Sequence, residues 1–224
     1  VTDAPVRILL VDDQQLVRLG FRMVLEAEPD LVVVGEAGDG AEAVRLTSSL
    51  KPDVVLMDVR MPVLDGIEAT RRIVEADPAA RIIILTTFDL DEYAFGGLRA
   101  GASGFLLKGA RPEELTSAVR AVAAGDAAVS GRVTRAMLEL FADRLPAGGA
   151  AARGGPDPVA ALTPREREIL LAIGEGLSNG EIGARFYLTE STVKTHVGRV
   201  LSKLQLRDRV HAVIFAYENG LLEK

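Results

Sequence analysis

Apolar residues follow two rhythms along the first 125 residues of the chain. Runs at 6–11, 31–34, 53–57, 81–86 and 103–107 are apolar almost throughout, strand-sized, and too apolar for a sheet with one wet face. The stretches between them, at about 14–27, 39–50, 65–76, 89–100 and 111–124, carry helical spacing instead. Leu16, Leu19, Phe21, Met23 and Leu25 supply the apolar positions of the first, and Ile67, Thr70, Ile73 and Val74 those of the third. Asp39 stands where it would cap the second stretch, and Pro112 with Glu113 and Glu114 opens the fifth. Five such repeats predict a doubly wound α/β unit, a five-stranded parallel sheet with helices on both faces.

Beyond residue 125 the pattern changes. One more helix is expected over 130–145, with Val133, Met137, Leu140 and Phe141 on a stripe. Residues 146–158 hold Gly148, Gly149, Gly154, Gly155 and Pro156 among alanines, with too few large apolar side chains to pack, and read as a flexible tether. From residue 162 the chain reads as helical to its end. Thr163, Pro164 and Glu166 open one helix; a short one covers 178–186, a longer one 189–204 and a last one 207–218. A short helix, a break at 186–188 and then a basic helix have the spacing of a helix-turn-helix. The expected division is therefore an α/β domain over 5–125, a linker helix and tether over 126–160, and a small all-α domain over 161–224.

The 224 residues include no cysteine and two histidines, which excludes a disulfide framework, a thiol nucleophile and cysteine-based zinc sites. Aromatic residues at 4%, with no tryptophan, weigh against base-stacking platforms for single-stranded nucleic acid. No apolar run approaches the roughly 18 residues of a membrane span. Nothing at the start resembles a secretory signal, so a cytoplasmic protein without a membrane partner is expected. The net charge of −6 divides unevenly: residues 1–125 hold 13 Lys/Arg against 20 Asp/Glu, and residues 161–224 hold 9 against 8. Within the latter, residues 189–209 hold Lys194, Arg199, Lys203, Arg207 and Arg209 against only Glu190 and Asp208, a local +3 that suits nucleic acid.

Ligands of open α/β sheets bind beyond the carboxyl ends of the strands, where strand order reverses. Those ends carry Asp12 and Asp13 after the first strand, Asp58 after the third, Thr86 after the fourth and Lys108 after the fifth. Each has a plainer role when taken alone: an Asp caps a helix or forms a turn, Thr86 packs, Lys108 is a solvated charge. Together the three carboxylates form an oxygen-only acidic set that needs a cation and suits Mg²⁺ rather than zinc. A carboxylate beside Mg²⁺ can attack phosphorus while a lysine and a hydroxyl neutralise the phosphoryl oxygens.

The segments ILLVDD at 8–13, VVLMDVRMP at 54–62 with Asp65 and Gly66, LTTF at 85–88 and GASGFLLK at 101–108 resemble a two-component response regulator. LTPREREIL at 162–170, LSNGEI at 177–182 and STVKTHV at 191–197 are similar to a LuxR-type helix-turn-helix of the NarL/FixJ-type subfamily. The resemblance spans nearly the whole chain except the tether, and implies a flavodoxin-like receiver domain ahead of a DNA-binding domain. It implies that Asp58 accepts a phosphoryl group from a histidine kinase, and that Asp12, Asp13, Asp58 and the backbone carbonyl of Arg60 hold Mg²⁺. Lys108 would contact the phosphoryl group, Thr86 would move toward it, and Phe105 would follow as a rotamer switch, where the residue alone reads as core. Phe88 and Arg60 flank the site and are expected to tune phosphate lifetime.

In the rear domain the polar positions of the basic helix are Ser191, Thr192, Lys194, Thr195, His196 and Arg199, with Lys203 one turn on. These are the expected contacts to double-stranded promoter DNA; on charge alone the same face reads as solvated. The family commonly pairs two protomers through the final helix, where Val210, Val213, Ile214 and Tyr217 would supply a homodimer's apolar face. Two departures stand out. Gly109 follows Lys108 where many receivers have proline, and Gly198 removes a possible readout side chain from the basic helix. The expected function is a phosphorylation-controlled transcription factor rather than an enzyme. Its rivals are a regulator acting without phosphorylation and an aspartyl-phosphate phosphohydrolase, although the latter places its two carboxylates as Asp-x-Asp and this chain has them adjacent.

Overall fold

The computed structural model describes residues 4–87, 96–97, 99–125 and 157–222. The chain divides into two compact units, Val1–Ala128 and Val129–Lys224. Phe88, most of the helix expected at 89–100, the helix expected at 130–145 and nearly all of the tether lie outside the described residues.

The front unit runs β1 (Val6–Val11), α1 (Gln15–Glu26), β2 (Leu31–Ala37), α2 (Gly40–Leu50), β3 (Val54–Asp58), α3 (Gly66–Ala76), β4 (Ile82–Thr86), β5 (Gly104–Leu107) and α4 (Pro112–Ala123). All neighbouring strands are parallel, in the order β2-β1-β3-β4-β5. This is a flavodoxin-like doubly wound sheet, and its order reverses between β1 and β3. Side chains alternate between two buried faces, as the unbroken apolar runs require. Ile8, Leu10, Leu56, Ile83 and Leu85 pack with Leu25 of α1 and with Leu115, Val119 and Val122 of α4. Leu9, Met57, Ile84 and Phe105 fill the opposite side.

Strand ends differ from the apolar runs for a simple reason. Pairing continues through residues that are not apolar, so β2 extends past residue 34 to pair Glu36 with Leu10, and β3 includes Asp58, paired with Leu85. The stripe expected on α1 also needs correction. At 100° per residue, Leu16, Leu19 and Met23 share one face while Phe21 and Leu25 lie on the other. The structure buries Leu25 completely and leaves Leu16, Leu19 and Met23 at 82%, 51% and 68% exposure. On α3 Thr70 and Ile73 of the expected set are buried, with Gly66 and Ala69 beside them, while Ile67 and Val74 are half-buried.

The rear unit contains α5 (Pro164–Gly174), α6 (Asn179–Phe186), α7 (Glu190–Leu204) and α8 (Arg209–Glu218). Capping chemistry fixes each start. Thr163 with Glu166 and Ser178 with Glu181 form capping boxes, and Thr189 accepts the Thr192 N–H. Asp208 accepts the His211 N–H at 3.1 Å, so the last helix begins at Arg209 rather than at 207. The break after α6 starts one residue later than expected, because Phe186 is still helical and Tyr187 turns the chain with φ 57°. That turn is tight: a Cβ on Gly183 would meet the Leu188 carbonyl oxygen at 2.8 Å. Ile182, Val193, Val197 and Val200 are buried with Ile169, Leu170 and Ile173, and Leu201 packs against them. Among the described residues no helix is long and apolar enough to cross a membrane.

Candidate functional site

The reversal of strand order puts the ends of β1 and β3 side by side. Asp12 and Asp13 follow β1 and Asp58 closes β3, and one carboxylate oxygen from each lies within 4.8 Å of the others. Asp12 and Asp58 are buried, Asp13 is exposed. Lys108 reaches in from the end of β5, its Nζ 2.7 Å from Asp12 Oδ2 and 3.0 Å from Asp58 Oδ1. Its backbone N–H donates to the Thr86 carbonyl at 2.6 Å, which ties the ends of β4 and β5 together. The structure thus gathers Asp12, Asp13, Asp58 and Lys108, with Thr86 on the adjoining strand end.

Burial raises the pKa of Asp58, helped by the charge of Asp12, and Lys108 only partly offsets this. Burial also works against the Lys108 ammonium, but hydrogen bonds to Asp12 and Asp58 outweigh it and its pKa is raised. Two buried carboxylates that share one lysine, with an exposed third beside them, are a donor set that fits a small hard divalent cation, for which Mg²⁺ is the natural oxygen-only choice. Arg60 sits two residues past Asp58 in the exposed loop leaving β3.

Two further features shape the pocket. A Cβ on Gly66 would lie 1.9 Å from the Asp58 carbonyl oxygen, so only glycine lets α3 begin against the end of β3. The Arg18 guanidinium donates to the Asp12 carbonyl at 2.5 Å and to Glu36 at 2.9 Å. The signal for Arg18 was available: it is a cation near the start of a helix, where the dipole disfavours it.

Thr86 is nearly buried at the end of β4, and Phe105 is buried in β5. Phe105 pairs with Ile84, two residues before Thr86, so both side chains lie on the same sheet face. No cis peptide occurs among the described residues, in keeping with glycine after Lys108.

On α7, Ser191, Thr192, Lys194, Thr195, Gly198 and Arg199 are exposed. Two hydroxyls are engaged locally: Thr192 bonds Thr189 at 2.8 Å and Thr195 donates to the Ser191 carbonyl at 3.1 Å. His196 is half-buried, and its Nδ1 has no hydrogen-bond partner among the described residues. Space is open around Gly198. Lys203, expected at the DNA, instead places its ammonium 2.6 Å from buried Glu166 on α5, because the helix turns that position toward its own domain. On α8, Val210 is 3% exposed and so is core rather than dimer face. Val213 packs on its own domain too, and Ile214 and Tyr217 are half-exposed.

Comparison with known proteins covers both units. Residues 8–120 match the response regulator receiver domain, and residues 160–216 match the bacterial regulatory proteins of the luxR family. The uncharacterised transcriptional regulatory protein YxjL of Bacillus subtilis is 45% identical, with 97% of this chain and 98% of the relative covered. The transcriptional regulatory protein LiaR of the same organism is 42% identical over 97% and 99%. Among solved structures, the response regulator ChrA of a heme-sensing two-component system aligns at a TM-score of 0.54 and 34% identity, covering 98% of this chain and all of that one.

Proposed function

Because this chain belongs to the two-component response regulators with a LuxR-type DNA-binding domain, we propose that Asp58 is its phosphoacceptor and that phosphorylation controls promoter binding. The observation that carries this reading is the Lys108 ammonium held against both Asp12 and Asp58 at the switch point of the sheet. An Asp58 carboxylate oxygen attacks phosphorus of a phosphohistidine on a partner histidine kinase; an O–P bond forms and the N–P bond to imidazole breaks. Asp12, Asp13, Asp58 and the Arg60 carbonyl would hold Mg²⁺, which supplies charge neutralisation at the phosphoryl oxygens. Lys108 holds a phosphoryl oxygen from the opposite side, and the Thr86 hydroxyl moves to another.

The new group adds about −1.5 to −2 charge and several acceptor oxygens. Thr86 leaving its place opens room on the face it shares with Phe105, and the β4 and β5 end of the sheet is the element with two arrangements. The readout is DNA: α7 enters the major groove, with Ser191, Lys194, Thr195 and Arg199 as its outward polar residues and Thr192 and His196 supporting them. The active form is a homodimer, to which the half-exposed Ile214 and Tyr217 on α8 would contribute apolar surface. The protein acts as a stoichiometric switch in the cytoplasm, without catalytic turnover.

Acetyl phosphate with Mg²⁺ should add the mass of one phosphoryl group to the wild-type chain and none to Asp58→Ala, and should tighten DNA binding of the wild type alone. Equal DNA affinity of the two proteins after treatment would favour the phosphorylation-independent reading, and sustained hydrolysis of phosphomonoesters would favour the phosphohydrolase.

A further inference from the structure

We infer that Arg18 is a positioning residue for the divalent-cation site, holding Asp12 and Asp13 in register through the peptide between them. The inference rests on the reading of the acidic pocket as an Mg²⁺ site. Three observations carry it. First, Arg18 donates from its guanidinium to the Asp12 carbonyl at 2.5 Å, and that carbonyl belongs to the peptide joining the two carboxylate-bearing residues. Fixing its plane limits the directions in which both side chains can leave the backbone.

Second, Asp12 is held at its other end as well. Its Oδ1 accepts the Gln14 N–H at 2.9 Å and its Oδ2 lies 2.7 Å from the Lys108 ammonium. The residue is therefore gripped by backbone and side chain, and Arg18 is the grip that no recognised motif assigns.

Third, Arg18 is itself held rigidly. Its side chain is 16% exposed, and Nε lies 2.9 Å from Glu36 Oε2 on β2. The other oxygen of Glu36 lies 2.7 Å from Arg22, which also pairs with Glu26 at 2.9 Å. A planar guanidinium bridging a carbonyl and a carboxylate is a geometry that lysine reproduces poorly. Arg18 occupies the first turns of α1, where a cation opposes the helix dipole, and the first turn of α1 has no acidic residue to compensate. The position makes sense through what the guanidinium holds.

Mg²⁺ demands near-ideal octahedral geometry, so small rotations of its carboxylates are costly, and partners that orient ligands govern affinity about 10- to 100-fold. The test is calorimetric titration of MgCl₂ into the full chain, paired with the acetyl phosphate rate as a function of Mg²⁺. Arg18→Met should weaken Mg²⁺ binding about tenfold or more and raise the Mg²⁺ needed for half-maximal phosphorylation. The rate at saturating Mg²⁺ should stay near wild type. Arg18→Lys should recover part of the affinity, and Glu36→Gln, which leaves Arg18 in place but loosens its anchor, should fall between. Circular dichroism melts identify a variant that fails to fold, in which case Arg18→Lys and Glu36→Gln decide alone. Wild-type affinity in all three, or a lower saturating rate at unchanged affinity, would overturn the inference. Absence of Mg²⁺ binding by the wild-type chain would instead remove the reading on which it rests.

Discussion

Replacing Asp58 by asparagine in magnesium-free buffer is expected to stabilise the front unit. Asp58 is 5% exposed and lies with Asp12 and Asp13 in a set whose oxygens are all within 4.8 Å. At an effective dielectric of about 20, the buried Asp12 carboxylate repels it by roughly 3.5 kcal/mol at that separation. Attraction to Lys108 at 3.0 Å returns about 5.5 kcal/mol, so these two charges together favour the ionised form by roughly 2 kcal/mol. Burial is the larger effect and opposes ionisation by about 3 kcal/mol, which is why the folded pKa is raised despite Lys108. The balance is about 1 kcal/mol in favour of the neutral side chain. Asparagine keeps the oxygen that accepts the Val59 N–H at 2.8 Å.

For a unit of this size, about 1 kcal/mol raises Tm by roughly 3 to 6 °C. The assay is differential scanning calorimetry of the full chain with EDTA. The pH dependence follows in sign. Asp58 has a folded pKa above its ordinary 3.8, so it contributes stability below that value and loses it as pH rises through the folded pKa. The Asn variant should lack this falling limb. Millimolar Mg²⁺ should then close the gap, because binding stabilises the wild type and the variant has lost a ligand. An Asn variant that melts below wild type in EDTA would refute the claim that the folded pocket disfavours the ionised side chain.

Leu25→Ala should cost about 2 to 5 kcal/mol by denaturant unfolding, whereas Leu16→Ala should stay within about 0.5 kcal/mol, since only the former empties the core. Glu166 is held down at about 2 by its hydrogen bond to Lys203 and by the Thr163 N–H, so the rear unit should lose helical circular dichroism as pH falls from 4.5 toward that value. Lys203→Met should flatten that limb. Anisotropy titrations against salt should show a slope about one unit shallower for Lys194→Ala. Lys203→Ala should leave the slope unchanged, and a loss there would restore Lys203 to the DNA interface.

The sheet and the acidic pocket were legible because both are written locally. Strand-length apolar runs end in Asp12, Asp58, Thr86 and Lys108, and a parallel doubly wound sheet can only place those ends together. What escaped is pairing across the fold. Nothing in α1 says that Arg18 meets Glu36, or in α7 that Lys203 meets Glu166, 37 residues away. A charge on an amphipathic helix looks the same whether solvent or a buried carboxylate receives it. The helical spacing of α1 misleads differently: Leu16, Leu19, Phe21, Met23 and Leu25 fall within ten positions, but their spacing puts them on two faces.

The strand order has a bearing on biosynthesis. After β2 joins one side of β1, β3 pairs with the other, β4 with β3 and β5 with β4, so no strand has to be inserted between two already paired. The sheet can grow as the chain leaves the ribosome, one open edge at a time. Lys108 arrives only after the last of these strands. A fragment that stops short of β5 would therefore carry Asp12, Asp13 and Asp58 without the ammonium that lies against two of them in the complete sheet.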